Sequence, residues 1–175
     1  THSGADIRAL LDRHGLEARR SFGQNFVVDP NTVRRIATLA GVAPGDPIVE
    51  IGPGLGSLTL ALLEHDASVT AVEMDAELVP ILREIVAGRN VTIIKGDAQQ
   101  VDWDAVLAAH PAWKLVANLP YNVATPLILD LLRDVPAITE MLVMVQLEVA
   151  ERLAATAPDP AIGIPSVLVA YHGRA

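Results

Sequence analysis

From Pro47 onward, short apolar runs rich in β-branched residues alternate with stretches of helical periodicity, and Gly, Asp or Pro bounds each run. The runs expected as strands are 47–51, 68–73, 91–95, 114–117, 140–145 and 166–171, and the helices expected between them are 57–65, 76–87, 104–109, 126–132 and 146–155. Parallel strands need long crossovers, and helices supply them, so this alternation predicts an α/β fold with a mostly parallel sheet and helices on both faces. Right-handed crossovers then gather the loops after the strand C-termini along one edge, where open α/β sheets bind ligands. Ahead of this region, 5–13 and 31–40 read as amphipathic helices, the second opened by Asp29-Pro30-Asn31, a helix-start signature. At 175 residues one domain is the natural expectation, and Pro158-Asp159-Pro160 reads as a loop rather than a linker.

Composition narrows the chemistry. With no cysteine, the chain cannot build a disulfide framework, a zinc-thiolate site, an iron–sulfur cluster or a thiol nucleophile. Its uncharged stretches, broken by Asn, Pro, Gly and Thr, fall short of the roughly 18 apolar residues of a membrane span. A net charge of −8 argues against gripping nucleic acid through the whole surface. The charge is uneven, however. Residues 1–35 carry six arginines against four acids, while 36–175 carry seven bases against seventeen acids, so a polyanion contact is expected near the N-terminus, with an ordinary solvated arm as the alternative.

The turn Glu50-Ile51-Gly52-Pro53-Gly54-Leu55-Gly56 follows the first strand and opens a helix, where a nucleotide-cofactor loop belongs. A dinucleotide fingerprint requires glycine at position 57, which is Ser57, and no phosphate-binding lysine follows, so neither a dinucleotide nor ATP fits. The pattern points instead to a cofactor with an amino-acid tail, for which Gly52 and Gly54 leave room beside the backbone. Glu73 ends the second strand, where a carboxylate can accept hydrogen bonds from both ribose hydroxyls. In Gly96-Asp97-Ala98, ending the third strand, an acid can accept from an adenine amino group. Singly, Glu73 and Asp97 read as strand-end caps; together and in this order they point to S-adenosylmethionine.

The fourth strand runs into Asn118-Leu119-Pro120-Tyr121-Asn122. An exocyclic amine of a base is a poor nucleophile because its lone pair is delocalised into the ring. Two acceptors aimed at its N–H groups turn the nitrogen toward tetrahedral geometry and free that pair. Asn118 Oδ1 supplies one acceptor, and a backbone carbonyl, best that of Leu119 held by the ring of Pro120, supplies the other. Tyr121 offers a face on which an extruded base stacks, worth about 1–3 kcal/mol. Catalysis of this kind is positioning and electrostatics, with no metal and no covalent intermediate. On its own the peptide is equally a polar turn.

Taken together, Phe22-Gly23-Gln24-Asn25-Phe26, the glycine turn, Gly96-Asp97-Ala98, Asn118-Leu119-Pro120-Tyr121-Asn122, Val145-Gln146 and Glu148-Val149-Ala150-Glu151-Arg152-Leu153 resemble, in order, the motifs of the ribosomal RNA adenine dimethyltransferases. The resemblance runs from about residue 20 to the end and is greatest to the bacterial 16S rRNA branch. It implies a Rossmann-like S-adenosylmethionine-dependent methyltransferase fold and N6-dimethylation of two adjacent adenines in the 3′-terminal hairpin of 16S rRNA during small-subunit assembly. By position it puts Asn25, Val27, Gly52, Gly54, Glu73, Asp97, Ala98 and Asn118 at the cofactor, Asn118, Leu119, Pro120 and Tyr121 at the chemistry, and Arg19 and Arg20 at the RNA. A cytoplasmic, metal-free monomer acting on the immature 30S subunit is the implied setting.

The resemblance also implies a division into 1–35, an N-terminal arm with a cofactor-lid motif, and 36–175, the methyltransferase core, without the family's C-terminal helical domain and the preceding loop that carries a base-sandwiching aromatic. The sequence departs from the family at Leu147, where lysine is usual, and at Ile162-Gly163-Ile164-Pro165-Ser166. Three other readings stay open: a 23S rRNA methyltransferase of the macrolide-resistance type, a ribosome-assembly or transcription-associated binding factor with little turnover, and a DNA adenine methyltransferase.

Overall fold

Five strands form one sheet in the computed structural model, which describes residues 1–16, 27, 29–120 and 123–175. They are β1 (Pro47–Ile51), β2 (Ser68–Glu73), β3 (Val91–Lys95), β4 (Trp113–Asn118) and β5 (Ile138–Met144). The spatial order is β3-β2-β1-β4-β5, and every pairing is parallel. The chain steps outward from β1 through β2 to β3, then returns to lay β4 against the other side of β1. That reversal is the topological switch point at which open α/β sheets leave a crevice beyond the strand ends.

Side-chain alternation along the strands divides the interior in two. Val49, Ile51, Val72, Leu115 and Ala117 share one core with Ala124, Leu127, Ile128 and Leu131 of α6 (Ala124–Asp134). Ile48, Val69, Ala71 and Val116 share the other with α2 (Pro30–Leu39), α3 (Ser57–Leu63) and α4 (Leu78–Ile85). Burial on both faces explains why the strands read as continuous apolar runs. Each fully buried Val, Leu or Ile contributes about 1.5–3 kcal/mol. Helix α1 (Gly4–Arg13) adds a third, smaller cluster, with Ile7 packed beside Leu55, Leu78 and Ile81 under the glycine turn.

The helix-start signature acts as expected. Asp29 accepts from the N–H groups of Asn31 (3.1 Å) and Thr32 (3.2 Å), and Pro30 occupies the first turn of α2. The expected helix 104–109 shortens to one turn, α5 (Trp103–Val106), capped by Asp102.

One element differs in kind. The run 166–171, expected as a sixth strand, lies within helix α8 (Ile164–His172), which packs with α6 and with α7 (Leu147–Ala154). Periodicity alone cannot separate a short apolar strand from a helix segment. Here the local signals decide: Pro165 sits in the first turn, while Ser166 Oγ accepts from the Gly163 N–H at 3.0 Å and donates to the Arg152 carbonyl at 2.7 Å. Both bonds fix a helix start against the end of α7.

Gly56 begins α3 with φ +75, and a Cβ there would lie 2.8 Å from Leu82 Cδ1. Gly56→Ala is expected to destabilise the fold by about 1–3 kcal/mol through left-handed strain and overpacking, measured as a lowered urea midpoint with an unchanged m value.

Candidate active site

The backbone ladder continues past the ends of the strands and carries the loops with it. The Gly52 N–H donates to the Val72 carbonyl (2.9 Å), the Gly96 N–H to the Glu73 carbonyl (2.9 Å) and the Leu119 N–H to the Met144 carbonyl (3.1 Å). The first residue after β1, β3 and β4 is therefore as fixed as the sheet itself. Between these loops lies a cavity of about 300 Å³, at the small end of the roughly 300–1,000 Å³ typical of ligand pockets.

Val27, Gly52, Gly54, Glu73, Asp97 and Ala98 all line this cavity, as do Asn118, Leu119 and Pro120. Nine of the residues singled out from sequence thus meet in one place. Asn25, Tyr121, Arg19 and Arg20 lie outside the described residues.

Gly52 has φ +68, and a Cβ built on it would meet no atom within 4 Å. Its conformation is one that glycine tolerates best, and it leaves cavity space bare against the main chain. Glu73 is buried and uses both oxygens to fasten the turn: Oε2 accepts from the Gly54 N–H (2.9 Å) and Oε1 from the Asp75 N–H (2.8 Å). Burial pushes its carboxyl above the usual range, and the two backbone donors pull it back. Each oxygen retains an acceptor direction for a ligand hydroxyl. Asp97 accepts from the Gln99 N–H (2.9 Å) and the Gln100 amide (3.1 Å), and Trp103 Nε1 donates to the Ala98 carbonyl (3.1 Å), which sets the floor of the third loop.

At the end of β4, alternation sends Leu119 into the core of the α6 face, leaving Asn118 on the opposite side of the strand. The Pro120 carbonyl accepts from the N–H groups of Val123 (3.2 Å) and Ala124 (3.1 Å), so it is committed to starting α6. Leu119 and Pro120 both line the cavity.

Sequence reasoning noticed Glu50 only as an acid ahead of the turn. Its carboxyl is 1% exposed, lines the cavity and accepts from Thr59 Oγ1 at 2.6 Å. Burial pushes its pKa up to about 8, with nearby Glu73 adding to the rise. Asp75 and Met74, directly after Glu73, also line the cavity. The period-2 alternation that makes Ile48 a core residue puts Glu50 on the same face, which was the available signal.

Four carboxylates, Glu50, Glu73, Asp75 and Asp97, line the cavity, and none of its described lining residues is Lys, Arg or His. Such a set repels a pyrophosphate and suits a nucleoside that bears positive charge. No group of residues suited to a metal ion occurs among the described residues. No helix among them is long and apolar enough to cross a membrane.

The sheet order, the glycine turn at its switch point and the acids at successive strand ends define a Rossmann-like fold of the methyltransferase class. The family model for ribosomal RNA adenine dimethylase matches residues 15–172, and the chain belongs to that family. Curated relatives include ribosomal RNA small subunit methyltransferase A of Corynebacterium efficiens, 49% identical over 97% of this chain and 60% of its own length. The protein of the same name from Nocardia farcinica is 49% identical over 97% of this chain and 59% of its own. This chain thus spans about 60% of the length of the relatives it matches. Among solved structures, a dimethyladenosine transferase from Plasmodium falciparum is similar with a TM-score of 0.66 and 27% identity, covering 81% of this chain and 50% of that one. The 23S rRNA methyltransferase ErmE is similar at a TM-score of 0.62 and 32% identity, covering 74% and 51%.

Glu50 binds its proton more tightly folded than unfolded, so between its ordinary 4.5 and about 8 the native state holds the extra proton. Stability must then fall as pH rises through that window, by on the order of a few kcal/mol. Glu50→Gln is expected to flatten this slope, read from urea midpoints at a series of pH values.

Proposed function

We infer that this protein uses S-adenosylmethionine to dimethylate N6 of two adjacent adenines in the 3′-terminal hairpin of 16S rRNA, acting in the cytoplasm on the assembling small subunit as a monomer that needs no metal. The observation that carries the reading is the meeting of the acid-lined turn at β1 and the Asn118-Leu119-Pro120 peptide at β4 around one cavity. The bare backbone at Gly52 and the absence of cations among the described lining residues fit such a cofactor. The choice of 16S over 23S rRNA is supported by relatives at 49% identity that are named for the small subunit, against 32% for the 23S enzyme.

When bound, the cofactor supplies an electrophilic methyl group on a sulfonium. The protein's own part is positioning. Glu73 and Asp97 hold the ribose and adenine, and Gly52 and Gly54 admit the amino-acid tail beside the backbone. Asn118 Oδ1 and the Leu119 carbonyl accept from the two amino hydrogens of the target adenine and localise its lone pair toward the methyl group. Tyr121 is the expected stacking face and Asn25 an expected cofactor contact, while Val27 lines the cavity. Arg19 and Arg20 lie on the basic segment that meets RNA phosphates.

Incubation of the protein with methyl-labelled cofactor and undermethylated 30S particles tests the reading, with dimethyladenosine as the expected product. Label in 23S rRNA or DNA alone, or none at all despite cofactor binding, would overturn it. Asn118→Ala is expected to lower transfer by roughly 10²–10³-fold with little change in cofactor affinity, since it removes an acceptor used at the reacting nitrogen. Glu73→Ala is expected to do the reverse, weakening cofactor binding by roughly 10–100-fold in a titration of the folded protein.

A further inference from the structure

We propose that Met74 is an oxidation site: peroxide converts its thioether to the sulfoxide, and the modified side chain weakens the hold of the cavity on its ligand. The proposal rests on the reading of the cavity as a nucleoside-cofactor site.

The chain has no cysteine, so its sulfur chemistry falls to three methionines, Met74, Met141 and Met144. Met141 and Met144 lie on β5, half-buried, and each packs against one of the two cores of the sheet. Met74 belongs to neither core, nor to the cluster under the glycine turn. It follows β2 directly, is 47% exposed and lines the cavity. A thioether is oxidised where the oxidant can reach its sulfur, and of the three Met74 is the one open to solvent.

The backbone on either side of Met74 is fixed. The Glu73 carbonyl accepts from the Gly96 N–H (2.9 Å), and the Asp75 N–H donates to Glu73 Oε1 (2.8 Å). The side chain is thus an apolar piece of wall carried on a rigid loop, and its sulfur suits contact with a flat aromatic ring. Sulfoxide formation makes that wall polar and chiral. The new oxygen accepts hydrogen bonds and donates none, and its chain neighbours are acids already in use as acceptors. Glu73 accepts from the Gly54 and Asp75 N–H groups, and Asp75 Oδ1 accepts from the Glu77 N–H at 2.9 Å. Oxidation therefore removes an apolar contact and sets one more acceptor beside others.

The step balances. A sulfur lone pair attacks one oxygen of hydrogen peroxide, the S–O bond forms as the O–O bond breaks, and the second oxygen leaves as water after proton transfer. Sulfur gives up two electrons and the peroxide takes them. Methionine sulfoxide reductase, supplied with a thiol reductant, reverses the change.

The test exposes the whole chain to dilute hydrogen peroxide, removes the oxidant, maps sulfoxide at each methionine by peptide mass spectrometry and titrates S-adenosylmethionine calorimetrically. Met74 is expected to oxidise first, and binding to weaken by roughly 3–10-fold. S-adenosylmethionine present during the exposure, its own sulfonium not being nucleophilic, is expected to protect Met74 and neither of the other two. The reductase is expected to restore binding. Met74→Leu keeps an apolar side chain without sulfur, and its affinity is expected not to change on peroxide treatment. Equal oxidation of the three methionines, or oxidation of Met74 with unaltered binding, overturns the inference and leaves the site reading intact. Peroxide sensitivity that persists in Met74→Leu overturns the assignment to Met74. If the untreated protein binds no S-adenosylmethionine, the reading of the cavity fails and this inference fails with it. Protection and reversal on the unsubstituted chain decide the question even if the variant does not fold, and the absence of either overturns the proposal.

Discussion

Everything at the site hangs on the parallel ladder at the centre of the sheet, and above all on β1. It is the strand with neighbours that leave it in opposite topological directions, and both of its faces are packed. Its last register pair is Ile51 with Val72, and the next residue, Gly52, still donates to the Val72 carbonyl. A left-handed glycine attached to a ladder bond cannot drift, so the bare backbone at the turn is a fixed surface. Glu73 completes the attachment by reaching from β2 to the Gly54 N–H. The turn is thus held by main-chain bonds, by one buried carboxylate and by Leu55, which packs against Ile7, Leu78 and Ile81.

That economy has an electrostatic cost. Acids that brace the turn and await a ligand are buried without cations, which raises both Glu50 and Glu73 above the usual carboxylate range. The absence of a counter-charge among the described lining residues leaves the cavity with an acidic character. The acidic body and the polyanionic substrate inferred for it are compatible for the same reason. The acids gather around the cavity, and the excess of arginine lies in the first 35 residues.

Much of this was legible in the sequence because the signals are local. Glu73 ends β2, Gly52 and Gly54 lie just beyond β1 and Asp97 just beyond β3, and strand ends follow from apolar runs. Asn118-Leu119-Pro120 was legible as chemistry because a proline fixes what precedes it. Glu50 was underrated because a charged residue inside a buried run looks like a boundary, and only the period-2 face of β1 shows that it points inward with Ile48. The 166–171 segment was misread for a related reason: Ser-Val-Leu-Val has strand composition, while the bonds that make it a helix come from Gly163 and from Arg152 in the preceding helix. The bond to Gly163 is local and Pro165 also marks a helix start, but the partner in the preceding helix, Arg152, leaves no local trace.

The glycine turn and the Asn118-Leu119-Pro120 peptide follow strands that are neighbours in the sheet. Gly52 closes β1 and Asn118 closes β4, and these strands pair directly, Ile48 with Lys114 and Val49 with Leu115. Neighbouring strands stand about 4.8 Å apart, so the glycine turn and the Asn118-Leu119-Pro120 peptide leave the sheet side by side. An intervening strand would double that spacing and take the two loops away from a shared cavity. The switch point is the one place in this sheet where two crossovers diverge above neighbouring strands. A crevice opens there, and the cavity is lined from the ends of both strands.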